Sequence, residues 1–150
     1  MNPVTVTTGI ARPREEVFEF LDDLSNHAGF LDHFLVDWEF SGPKRGVGAK
    51  AAARVSAPAS QDWTEFEVVD SDRPERIVEE GVGAKGKRHT RGTYYLSDRP
   101  DGGTDVAFKL EWLEVPRTER LAPPLTRLFV RRSNGKALRR LKKQLEKIDS

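Results

Sequence analysis

The stretch from Pro123 to Ile148 constrains the rest of the chain most. Pro123 and Pro124 are tolerated in a helix only in its first turn, and the run rich in Leu, Arg, Lys and Gln that follows is made of strong helix formers. The pattern therefore predicts one long closing helix. Leu138, Leu141, Leu145 and Ile148 recur at intervals of three and four, which places them on one face of it. Such a face requires a broad apolar partner, and the upstream segments read as strands. A sheet wrapped around the helix satisfies both requirements.

The upstream pattern supports this. Val4, Val6 and Thr8 alternate with Thr5, Thr7 and Gly9, giving a first strand over residues 3–11. Pro13 then opens a helix with Glu15 and Glu16 in its first turn and Val17, Phe20, Leu21 and Leu24 on its inner face. A second short helix is expected from Ser25 to His33, capped by Ser25 or Asn26. Strand patterns follow over residues 35–41, 47–55, 63–69, 76–81, 88–96 and 106–112, separated by short turns containing Gly, Pro or Asp. No crossover helices separate them, so the sheet is expected to be an antiparallel meander in a single α+β domain spanning residues 1–150.

Composition excludes several functions. The absence of cysteine removes disulfides, thiolate metal sites and cysteine nucleophiles. With 37% apolar and 33% charged residues, the chain reads as an ordinary soluble protein, and no run approaches the roughly 18 apolar residues of a membrane span. The first ten residues lack a signal-peptide pattern, so a cytoplasmic location is expected. His27, His33 and His89 show no compact ligand spacing, and no metal or cofactor is expected; exposed or cap-supporting roles fit them better. The Gly-rich segments 42–48 and 81–86 read as hairpin turns rather than phosphate loops, and Ser133 has no triad signature.

The opening residues Ile10-Ala11-Arg12-Pro13-Arg14-Glu15-Glu16-Val17-Phe18-Glu19-Phe20-Leu21-Asp22-Asp23 resemble the first strand–helix junction of the START / Bet v 1-like (SRPBCC) superfamily, in its polyketide cyclase/dehydrase and lipid-transport branch. Asp72-Arg73-Pro74-Glu75-Arg76-Ile77-Val78 is similar to a Pro turn found in the same group, and the order of elements matches over the whole chain. The resemblance implies a helix-grip fold: a curved antiparallel sheet of about seven strands around the C-terminal helix, with two short helices after strand 1. It also implies an internal cavity for a small hydrophobic molecule, cyclic or acyl. It does not imply one reaction, because carriers, cyclases and regulatory proteins share the fold.

Two questions of parity decide the cavity's character. Trp38, Trp63, Tyr95, Phe108 and Trp112 are aromatic strand residues that would line a pocket if they faced the helix, and Ala49, Ala51 and Ala53 leave one face of their strand with little volume. On the strand 88–96, an inward parity of His89, Arg91, Thr93 and Tyr95 would give a donor row. Arg91 would then stabilise an oxyanion while Tyr95 or His89 moved a proton in a cyclisation, dehydration or aromatisation. The opposite parity solvates them and gives the core to Tyr94 and Leu96. Glu65, Glu67, Glu79 and Glu80 pose the same question. On the closing helix, the Leu138 stripe runs back over Asn134, Val130 and Arg127, with Arg131 at its edge, while Leu125, Leu128 and Phe129 lie nearly opposite. Either the helix bends at Asn134-Gly135, or it is straight and presents Asn134, Val130 and an Arg to the cavity.

The closing segment also carries nine Lys and Arg against Glu146 alone, although the net charge of the chain is +1. A solvated outer face explains this, and so does a non-enzymatic interaction protein of the ribosome-associated toxin-like branch, meeting RNA or an acidic partner through its basic helix. The helix lacks the interleaved aromatic residues that nucleic-acid surfaces use. No sequence feature specifies an oligomeric state.

Overall fold

The computed structural model describes residues 1–56 and 62–147. In chain order the elements are β1 (Val4–Ile10), α1 (Arg14–Asp22), a 3-10 turn (Leu24–Asn26), α2 (Ala28–Leu31), β2 (Leu35–Ser41), β3 (Lys50–Val55), β4 (Trp63–Asp72), β5 (Arg76–Gly83), a second 3-10 turn (Ala84–Gly86), β6 (Arg88–Asp98), β7 (Thr104–Glu114), α3 (Arg117–Arg120) and α4 (Pro123–Lys147). The strands form one curved seven-stranded antiparallel sheet in the order β1-β7-β6-β5-β4-β3-β2. This is the helix-grip architecture expected from the sequence. Some details differ: β3 starts at Lys50 rather than Val47, β4 to β7 run past their expected ends to Asp72, Gly83, Asp98 and Glu114, the segment 25–33 divides into a 3-10 turn and a short helix, α3 had no sequence signal, and Ile148 lies outside the described residues.

The concave face of the sheet holds the core. Its inward residues alternate as the pleat requires: Val4 and Ile10 on β1, Ala51 and Ala53 on β3, Ile77 on β5, Tyr94 and Leu96 on β6, and Val106 and Phe108 on β7 are all buried. Against them pack Val17, Phe18 and Leu21 of α1, Phe30 of α2, and Ala137, Leu138, Leu141 and Leu145 of α4. Outside this face, β2 contains a bulge. Asp37 adopts φ 57°, and the register with β3 shifts between Val36 and Glu39. The Arg54 guanidinium holds the Asp37 carboxylate at 2.8 and 2.7 Å, compensating the left-handed backbone. The extra residue re-aims Trp38, so that Leu35 and Trp38 face the same side although three positions apart.

Helix α4 is docked at both ends. At its C-terminus the Arg12 Nε donates to the Leu145 carbonyl at 3.0 Å, Lys142 donates to the Gly9 carbonyl at 2.8 Å, and the Ala11 amide donates to the Glu146 carboxylate at 2.9 Å. Near its N-terminus Arg127 donates to the carbonyls of Asn2 and Pro3. Between these anchors α2 adds a side contact: Gln144 donates to the Gly29 carbonyl, and His33 bridges Arg140 and the Ser133 carbonyl. Because Arg140 donates to Nδ1, the His33 proton sits on Nε2 and is donated to Ser133.

The cap of the 3-10 turn is Asp23, not Ser25 or Asn26. Its buried carboxylate accepts from the Ser25 amide at 3.0 Å and from the Ser25 hydroxyl at 2.7 Å. Asp23→Ala is expected to destabilise the fold by about 1 kcal/mol, measured by urea denaturation, because two local donors lose their acceptor.

Candidate functional site: a cavity under the N-terminal half of α4

A sheet this curved does not fill its own concavity unless large side chains occupy every inward position. Here several inward positions are small. Ala51 on β3, Gly81 on β5 and Gly92 on β6 all line a cavity of about 780 Å³ between the sheet and α4. Gly92 is required where it stands, because a Cβ there would lie 2.7 Å from the Phe108 ring. The roof is the N-terminal half of α4, which contributes Leu125, Thr126, Phe129, Val130 and Asn134; the C-terminal half is core. The aromatic lining includes Phe30, Phe34, Trp38, Phe66, Tyr94, Phe108 and Trp112. Tyr94 and Phe108 pack with centroids 4.5 Å apart, and Trp38 stacks on Phe66 at 6.1 Å.

Helix α4 runs through Asn134-Gly135 without interruption, and Asn134 is buried and faces the cavity. Neither Arg joins it: Arg127 is turned to the carbonyls of Asn2 and Pro3, and Arg131 is exposed.

The parity questions resolve through β5 and β6. Tyr94 and Leu96 point into the core, so His89, Arg91 and Tyr95 stand on the convex face. Arg91 is paired with Glu80 at 3.2 Å, the His89 Nε2 lies 3.1 Å from the Gly86 carbonyl, and Tyr95 is 44% exposed. The donor row of the inward alternative is therefore corrected: none of its three catalytic candidates reaches the cavity. Trp63 is corrected likewise, because Thr64 and Phe66 take the inward positions of β4 and leave it 47% exposed. Of the other sequence candidates, Trp38, Phe108, Trp112, Val130 and Asn134 lie together on the cavity wall.

The most consequential polar residue was not singled out from the sequence. Glu79 on β5 pairs in register with Gly92 on β6, and its side chain enters the cavity over that glycine, with its Cγ 3.5 Å from where a Cβ on Gly92 would sit. It is 8% exposed, and among the described residues its carboxyl has no hydrogen-bond or ion-pair partner. Burial alone pushes its pKa up to about 7. The Asn134 amide, 7% exposed, is also without a partner among the described residues. The signal for Glu79 was available: two consecutive carboxylates on one strand, Glu79 and Glu80, must point to opposite faces, so one of them is inward.

Several other polar groups at the cavity have partners within the protein. Arg88 donates from Nε and Nη2 to the two carboxylate oxygens of Glu119 at 2.9 and 2.6 Å, which ties α3 to β6 at the edge of the cavity. The Thr64 hydroxyl bonds the Val82 carbonyl. His27 is buried rather than exposed: it packs on Phe30 and edge-on to Tyr94, its Nε2 lies 2.8 Å from the Leu21 carbonyl, and burial lowers its pKa to about 4. The neutral ring therefore donates from Nε2. The Tyr94 hydroxyl is pushed well above its ordinary pKa by burial and by the proximity of Glu79, so it stays protonated.

Comparison with known proteins now adds to this geometry. The sequence pattern of the family described as polyketide cyclase / dehydrase and lipid transport matches residues 1–146. The chain belongs to that family. Solved structures with the same fold include the protein TTHA0849 of Thermus thermophilus, at 18% identity over 99% of this chain and 100% of that one, with a TM-score of 0.76. The major latex-like protein 151 of Panax ginseng matches 95% of this chain and 96% of its own at 13% identity and a TM-score of 0.66. DynU16, from the dynemicin biosynthetic locus, aligns over 98% of this chain and 48% of its own at 16% identity and a TM-score of 0.69. No curated protein matches in sequence. As a polyketide cyclase/dehydrase family member, the chain carries a fold for binding small hydrophobic ligands. Among the described residues, no helix is long and apolar enough to cross a membrane, and no cluster of three metal-ligating side chains occurs.

Proposed function

We propose that the chain binds a small hydrophobic molecule, cyclic or acyl in character, in the cavity between sheet and α4. The observation that carries this reading is the combination of about 780 Å³ of aromatic-walled space with two buried side chains, Glu79 and Asn134, that no group among the described residues satisfies. Ligand cavities of roughly 300–1,000 Å³ are mostly apolar with a few convergent polar groups, and this one has that composition. The apolar body of the ligand would lie among Phe30, Trp38, Phe66, Phe108 and Trp112, with its polar end toward Asn134 and Glu79. Both side chains open onto the cavity with no protein partner among the described residues, so a ligand lying there can pair with them. Binding, as in a carrier or sensor, is favoured over cyclase turnover, because Arg91, Tyr95 and His89 stand outside the cavity.

A titration with the neutral fluorophore N-phenyl-1-naphthylamine tests the proposal. Saturable one-to-one enhancement in the micromolar range is expected, displaced by hydrophobic competitors. A linear, non-saturating response would contradict it.

A further inference from the structure

The charges on the cavity wall are lopsided. The ionisable side chains lining it are Asp62, Glu79, Glu119, Arg88, His27 and Tyr94. Arg88 is the wall's cation, and it is already engaged by Glu119 through three hydrogen bonds and lies 3.8 Å from Asp62. His27 is neutral at pH 7 and holds the Leu21 carbonyl. The face of α4 above the site contributes the uncharged Asn134 and Val130. Glu79 is thus a carboxyl aimed into an apolar space with no cation among the described residues to meet it.

Three kinds of ligand can be compared on that basis. A carboxylate or phosphate would find no free counter-charge and would face Glu79 at close range, with little solvent to screen the repulsion. A neutral molecule would leave the carboxyl as it is. An ammonium would supply the missing partner, in a space walled by the rings of Tyr94 on β6 and Phe108 on β7. We infer that the cavity selects a hydrophobic cation, an aromatic or alicyclic amine whose ammonium pairs with the Glu79 carboxylate while Asn134 accepts a second N–H. This rests on the reading of the cavity as a ligand site and specifies the class of ligand.

The pairing is linked to pH. Glu79 ionises near pH 7, whereas an aliphatic ammonium stays charged to about pH 10, so amine affinity rises through the weakly acid range and levels off above neutrality. Three probes with one bicyclic body separate the alternatives: 2-aminotetralin as cation, 2-tetralone as neutral ketone and 1,2,3,4-tetrahydro-2-naphthoate as anion, each measured by calorimetry at about pH 5.5 and 8. At the higher pH, aminotetralin is expected to bind at least about tenfold tighter than tetralone, with naphthoate weakest. The advantage shrinks at the lower pH. Glu79→Gln, checked for folding by circular dichroism, is expected to remove both the amine preference over the ketone and its pH dependence. An amine that binds no tighter than the ketone, or a preference that survives Glu79→Gln, would overturn the inference and leave the cavity reading standing. If none of the three probes nor the neutral fluorophore binds, the cavity reading itself falls.

Discussion

Replacing Glu79 by leucine is expected to make the protein more stable at pH 8, by about 3 kcal/mol, although the substitution deletes a charged group from its interior. The reason lies in the direction of its titration. Burial raises the Glu79 pKa from 4.5 to about 7, so between those values the folded state binds more protons than the unfolded state. Stability therefore falls as pH rises through that window, and above it the penalty is fully present. Leucine removes the penalty and adds a pH-independent term from its own burial. The difference between variant and wild type is expected to grow from its acid value to a plateau above pH 7. Urea denaturation at a series of pH values measures it, and a difference that does not change with pH would contradict the assignment.

His27 makes the same experiment more informative. Burial lowers its pKa from 6.5 to about 4, so over that range the unfolded state binds more protons and stability rises with pH. In the wild type this rise opposes the fall caused by Glu79 across the shared interval, and the profile is expected to be shallow there. In Glu79→Leu the histidine rise stands alone. A buried carboxyl that weakens the fold where it is ionised fits the proposal that Glu79 pairs with a ligand.

The second large effect concerns access. Val130 lies on the roof of the cavity and is half-buried, so a larger side chain at that position has room to lie across the space without breaking the core below. Val130→Trp is expected to lower the affinity for N-phenyl-1-naphthylamine by about a hundredfold, because the indole occupies volume that the ligand needs. Stability should change little, since the buried stripe of Leu138, Leu141 and Leu145 is untouched. Retained affinity in a folded Val130→Trp protein would place the binding site elsewhere.

The fold was legible because its signals are periodic. The alternation on β7 and the three- and four-residue spacing of Leu138, Leu141 and Leu145 survive in the structure, and the strand–helix junction at Pro13 lies where the sequence places it. The site was less legible because it depends on parity, and parity depends on bulges. The register shift at Asp37 puts Leu35 and Trp38 on one face, which strict alternation forbids. On β6 the polar residues Arg91 and Tyr95 drew attention by their chemistry, yet Tyr94 and Leu96 set the parity by their burial. Asn134 could be placed from helix phase alone. Glu79 was named only as one of four carboxylates, since nothing in the sequence shows that Gly92 would lie beside it and leave it room.

Native mass spectrometry of freshly purified protein tests the central claim most directly, run beside Val130→Trp as the variant whose cavity is obstructed. The wild type is predicted to retain a non-covalent small molecule, or to take up N-phenyl-1-naphthylamine at one per chain, and the variant to do neither. Wild-type and variant spectra that show equal adducts, or a wild type that stays bare when the fluorophore is added, would contradict a ligand held beneath α4.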